Sequence, residues 1–263
     1  MSLAARWGSL VGLAVVAACL VGSGLAAEPP AAPKVSTFAP AQDLVSQVDY
    51  YLERLEATVE SESEYKDSAD KVAKDASTLA VIGLALGLHD EDNKYKNAAP
   101  ALIKAAQKLA ATKDFASAKA GVAAVKDALG TKGDPSGLKW EKVASLKELM
   151  LQVPLVNSRL KRYLRGVRFT KMAKDTAGSS ATLAAVAQAS IADTSEAKNP
   201  GDVEKWYKYC VDMRDAAGAL NAAIRALDQK AAEAAMKKMA KSCDDCHEVF
   251  HPEAKDKMEQ EEN

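Results

Sequence analysis

Residues 232–250 read AEAAMKKMAKSCDDCHEVF. Ala232, Met236, Met239, Cys243, Cys246 and Phe250 recur there at alternating steps of four and three. That rhythm places them on one face of an α-helix, the face a helix turns toward a shared core. The preceding segment keeps the same rhythm through Val203, Trp206, Cys210, Met213, Ala217, Leu220, Ile224 and Leu227. Before it, Arg168 to Ile191 is rich in Ala, Ser and Gly. Earlier still, Trp140 to Leu164 carries Val143, Leu146, Met150, Val153, Leu160 and Leu164, with Asn157 interrupting the seam. Pro154 lies inside this last segment and is expected to kink it. Four such segments joined by short loops predict an antiparallel four-helix bundle over 138–252.

The region 41–130 repeats the plan more weakly. Leu44, Val48, Tyr51 and Leu55 mark a first helix, and a second runs to Leu88. A third includes Leu102 and Leu109; a fourth carries Phe115, Ala118, Val122, Val125 and Leu129. Gly130 to Gly137 separates the halves with the Gly, Pro, Asp and Ser content of a loop. Lys71-Val-Ala-Lys-Asp75 also echoes Lys171-Met-Ala-Lys-Asp175. A shared order of four helices plus this echo predicts two bundles in tandem. Aromatic residues make up only 5% of the chain, and alanine gives up no side-chain entropy in a helix. The fold class is therefore read as all-α.

The N-terminus begins with one base, Arg6, followed by an uncharged stretch from Trp7 to Ala27. These are the parts of a secretory signal, residues 1–27, and they predict an exported, periplasmic protein. Two other modes of attachment stay open: an uncleaved membrane anchor, and lipidation at Cys19. Residues 28–40 read as a Pro-rich linker. Residues 253–263 read as a solvated, disordered charged tail. Removing residues 1–27 leaves 34 bases against 36 acids. That balance gives no overall basic field of the kind nucleic-acid binding calls for.

One cysteine lies in the signal, Cys210 stands alone, and two form Cys243-Asp-Asp-Cys246-His247. Cys-x-x-Cys-His is the attachment signature of c-type haem. Two thiols add to the haem vinyl groups as thioethers, and the adjacent imidazole reaches the iron. On a helix, positions 243, 246 and 247 share one face, as that chemistry requires. A CxxC redox pair would want a βαβ context. Zinc would want more Cys or His ligands, and only His89 and His251 remain. His89 is read as a helix-end or loop histidine and Cys210 as a buried small hydrophobe. Aligning the fourth helices of the two halves puts Lys126, Leu129 and Gly130 at the haem-bearing places, so the first half is expected to be haem-free.

Residues 139–252 resemble a class II c-type cytochrome, the cytochrome c-prime family, which places CxxCH near the end of the last of four helices. An aromatic and then a basic residue usually follow in that family. Here Phe250 fits the aromatic place, and His251 departs from the basic one. The resemblance implies a single covalent haem c with His247 as proximal iron ligand and His251 near the proximal side. Because histidine titrates near neutrality, a pH-dependent reduction potential is expected. Low-spin family members take a distal methionine from their first helix, and Met150-Leu-Gln-Val153 resembles that place. Met150 is thus either the distal ligand or ordinary core packing.

Methionine with histidine suits electron transfer with a redox partner protein. A five-coordinate iron would suit binding or sensing of a small gas such as NO or CO, with the first half as a dimerisation module. A peroxidase would need a distal acid–base pair, which the sequence does not offer. The expected class is an electron carrier and not an enzyme.

Overall fold

The structure is a computed structural model describing residues 27–253. The signal stretch with Cys19 (apart from Ala27) and the charged tail beyond Glu253 lie outside the described residues. The described chain is all-helical: α1 Ala41–Thr58, α2 Glu62–Gly87, α3 Ala99–Ala110, α4 Phe115–Ala128, α5 Leu146–Tyr163, α6 Val167–Lys171, α7 Ala173–Ser190, α8 Pro200–Arg225 and α9 Gln229–Phe250. Short polar side chains start several of them. Ser61 accepts from the Glu64 amide, Asp114 from Ser117 and Asp228 from Ala231, each satisfying a donor that the first turn leaves unpaired.

Helices α1 to α4 pack in a ring: α1 on α2, α2 on α3, α3 on α4, and α4 back on α1. In the second half α7 packs on α8, α8 on α9, and α5 on α7. The loop at 130–137 divides the chain but not the core. Helix α1 packs on α7, and α2 on both α5 and α7, so one apolar cluster runs from Leu44 and Leu79 through Leu160 and Leu183 to Leu220 and Met239. Its centre is held by two helices whose buried stretches follow the repeated Lys-x-Ala-Lys-Asp motif, at 71–75 within α2 and at 171–175 at the start of α7. Helix α2 is buried on every side from Asp75 to Gly87, and α7 from Thr176 to Ser190. Small residues there let neighbouring helices approach from all directions.

Three segments differ from the sequence reading. Residues 140–145 are not helical; α5 begins at Leu146, where Ser145 and Glu148 have the spacing of a capping box. Trp140 and Val143 have helical spacing, yet they pack from the irregular segment leading into α5, with Trp140 against the Phe38 ring at 6.5 Å. The helix expected over 168–191 is broken at Met172 into α6 and α7. The end of the expected linker 28–40 is an ordered strap. Val35, Phe38 and Ala39 are buried, because Phe38 lies over α8 against Gly218, with Arg214 above its ring at 5.7 Å. His89, itself buried, anchors the strap: Nδ1 accepts from the Glu91 amide and Nε2 donates to the Ala39 carbonyl at 3.1 Å.

Candidate functional site

Helix α9 takes its packing from α8, and α5 takes its packing from α2 and α7. A cleft therefore lies between α5 and α9, floored by α7 and α8. Met150, Val153, Pro154 and Asn157 line it from α5; Trp206, Tyr209, Cys210 and Met213 from α8; Ser242, Cys243, Cys246 and His247 from α9. The empty space between these side chains is about 670 Å³, counting the part open to solvent. The sequence-read residues Cys243, Cys246, His247 and Met150 thus line one cavity.

Helix α5 explains how Met150 comes to face this space. Leu149, Gln152, Val156 and Leu160 are the buried row that meets the main core. Of the row read from sequence, Leu146, Leu160 and Leu164 are buried too; its middle, Met150 and Val153, is rotated by one residue from the buried row and is half-buried. It serves the cleft, and Asn157, which broke the apolar seam, belongs to the same row. Pro154 sits inside α5 without ending it; lacking an N–H, it leaves the Met150 carbonyl without its usual helical donor.

Burial dominates the electrostatics. It pushes the Cys246 thiol up to about 12, with Cys243 adding to the shift, and the Cys243 thiol up to about 11, with Asp244 adding. Cys210 is raised as well, again by burial first and then by Cys246. Burial and then the nearby His251 hold His247 below the ordinary histidine range. The imidazole is therefore in its neutral, metal-binding form at neutral pH. Among the described residues, Cys210, Cys243 and Cys246 are free thiols.

Phe250 packs edge-on against Trp206 at 5.3 Å and Tyr209 at 6.3 Å, and the Trp206 indole donates to the Ser190 carbonyl at 2.9 Å. His251 caps α9 outside the cleft lining. Its ring lies 6.4 Å from that of His247, with Glu196 3.5 Å and Glu253 3.3 Å from its two nitrogens. In the first half, α4 ends before Leu129 and Gly130, and Lys126 pairs with Glu56 at 2.8 Å. Trp206, Cys210 and Met213 were legible as a core seam; that the seam lines a cavity was not. Asn157 was legible only as the polar interruption of its seam, and Tyr209 had no sequence signal.

The cleft fits a covalent haem by the chemistry of its donors. Its wall is mostly apolar, with two thiols and an imidazole on one side and a thioether opposite. Asn157 Oδ1 is buried without a hydrogen-bond partner, a polar atom that costs stability unless something meets it. Among the described residues, no three His, Cys, Asp or Glu side chains converge as a bare metal ion would need. Scanned against family models, curated proteins and solved structures, the chain matches none of them.

Proposed function

We propose that the chain is a covalent haem protein, with Cys243 and Cys246 as the thioether donors and His247 as the proximal iron ligand. The observation that carries this reading is that these three side chains and Met150 line one cleft. Within that class, the reading is a mono-haem cytochrome of the c-prime type that carries electrons, with Met150 as the sixth ligand. Haem supplies one-electron chemistry; the chain supplies the axial ligands and a largely apolar wall, which together set the potential. Export to the periplasm belongs to the same proposal, since haem is attached to CxxCH outside the cytoplasm. Among the described residues, no helix is long and apolar enough to cross a membrane.

The test is expression with an export and c-type maturation system, followed by intact-mass analysis and absorption spectra in both oxidation states. The expected result is one added haem and a low-spin spectrum that Met150→Ala converts to high spin. A bare polypeptide mass would overturn the haem assignment. A wild-type ferrous form that is high-spin and takes up CO rapidly would replace electron transfer with gas binding, and peroxidase turnover would reopen the enzyme class.

A further inference from the structure

From Leu149 to Lys174 the chain contains no acid and seven bases: Arg159, Lys161, Arg162, Arg165, Arg168, Lys171 and Lys174. The chain after residue 27 has 34 bases; these seven leave 27 against 36 acids elsewhere, so the run is a local reversal of an otherwise acidic molecule. The structure gathers it at one end of α5. Lys161, Arg162, Arg165, Val167 and Arg168 line one shallow open concavity around Gly166, whose φ of +57° turns the chain between α5 and α6. Arg162, Arg165, Arg168, Lys171 and Lys174 are exposed, and Val167 stands 88% exposed among them. Among the described residues, none of those five cations is in an ion pair.

This surface adjoins the cleft. Positions 150, 154, 157 and 161 lie on one face of α5 by helical spacing, and the first three line the cavity. Lys161 is near enough to Cys243 for its charge to act on that thiol, against the opposing charge of Asp244. The basic end of α5 therefore borders the α9 side of the site.

We propose that this basic surface docks the acidic face of a one-electron redox partner protein and holds it against the cleft edge. The inference rests on the haem reading above. Charge complementarity selects the occupant. Electron-transfer encounters are small and short-lived, and a cationic patch speeds them by steering without requiring a large apolar interface. Val167 alone offers too little apolar area to anchor the molecule in a lipid surface.

Because no partner protein is identified, the probes are ferricyanide, an anionic oxidant, and tris(phenanthroline)cobalt(III), a cationic one. One electron passes from ferrous haem iron to the oxidant, giving ferric haem and ferrocyanide or the cobalt(II) complex, with no bond to the protein made or broken. Stopped-flow oxidation is followed from 10 to 200 mM salt. The expected result is a wild-type ferricyanide rate that falls with salt. In Arg162→Glu/Arg165→Glu/Arg168→Glu that rate should drop about 10-fold at low salt, while the cobalt rate rises. Lys104→Glu/Lys108→Glu/Lys132→Glu, with the same change in net charge, is the control, and Arg165→Gln gives a smaller shift if the triple variant is misfolded by far-UV CD. Equal slowing in patch and control variants, or unchanged patch rates, would overturn the proposal.

The absorption spectrum separates the two readings. If the chain carries no haem, the functional reading fails. Docking is then decided by anisotropy of a labelled 20-residue polyglutamate peptide, whose binding should weaken in the patch variants and not in the control. Flotation of the wild type with phosphatidylglycerol vesicles, lost in the patch variants, would assign the surface to lipid and overturn the protein partner.

Discussion

Replacing Phe38 by alanine tests whether the two halves share one core. Phe38 is 3% exposed and lies where the strap, the Trp140 approach and α8 meet. Truncating a buried Phe to Ala costs about 3–5 kcal/mol, and loss of the Arg214 contact above the ring adds up to about 1 kcal/mol. Against a total stability of about 5–15 kcal/mol, that is a large fraction. With a urea m-value near 3 kcal/mol/M, the midpoint should fall by about 1 M or more. Urea unfolding would be followed by far-UV CD, which reports all helices, and by tryptophan emission, which in the described chain reports Trp140 and Trp206. Both probes should shift together in one transition. A loss below about 1 kcal/mol, or CD and emission curves that separate, would refute the single-core argument.

Ser36 donates to Asp90 through both its amide and its hydroxyl, at 2.9 and 2.6 Å, and these bonds hold the Asp90 carboxyl down to about 2 from its ordinary 3.8. A depressed folded-state value stabilises above the unfolded one; Ser36→Ala removes the hydroxyl bond but keeps the amide bond, and with Asp90 exposed and screened by solvent it should cost about 0.5–1 kcal/mol at pH 7. The difference should shrink as pH falls below about 4 and vanish only below about 2, as checked by denaturation at each pH; a pH-independent cost would contradict it. A Cβ at Gly87 would lie 2.4 Å from Leu138 Cδ1 and 2.8 Å from Ala99 Cβ, so Gly87→Val should destabilise by about 1–3 kcal/mol; an unchanged thermal midpoint would show that the packing yields. Leu227 holds φ +57° in the turn after α8, where the Asp228 amide reaches the Ala223 carbonyl at 2.9 Å and the Leu227 amide reaches Ile224 at 3.0 Å, a Schellman closure that favours glycine. Leu227→Gly should raise stability by about 0.5–1 kcal/mol, and a lowered urea midpoint would contradict that.

What the sequence disclosed follows from how local each signal is. Helices α1, α8 and α9 each pack mainly through one continuous stripe, and their three-and-four spacing is visible without any neighbour. The Cys243–His247 motif is legible because its spacing lies within five consecutive residues and needs no neighbour. Helix α5 is wanted on two sides, by the core through Leu149, Gln152, Val156 and Leu160 and by the cleft through Met150, Val153 and Asn157. A single stripe could describe only one of them. The strap has no period at all; Phe38 and Ala39 are buried by partners on α8 and at His89 that lie far along the chain. The break at Met172 and the charge reversal at the end of α5 likewise needed the fold to acquire a position relative to the site.

Two residues beyond Met150, the Gln152 amide donates to Tyr51 Oη at 3.2 Å and to Asp75 Oδ1 at 3.1 Å, and Asp75 in turn receives Arg54 at 2.9 Å. Tyr51, Arg54 and Asp75 all belong to the half without thiols, so the helix that carries Met150 is moored to it. On the proposed reading that half is a foundation for Met150 as a ligand, and the second bundle cut free would keep the same motif with Met150 less firmly placed. On the same reading, changes on α1 and α2 would tune the absorption spectrum from a distance.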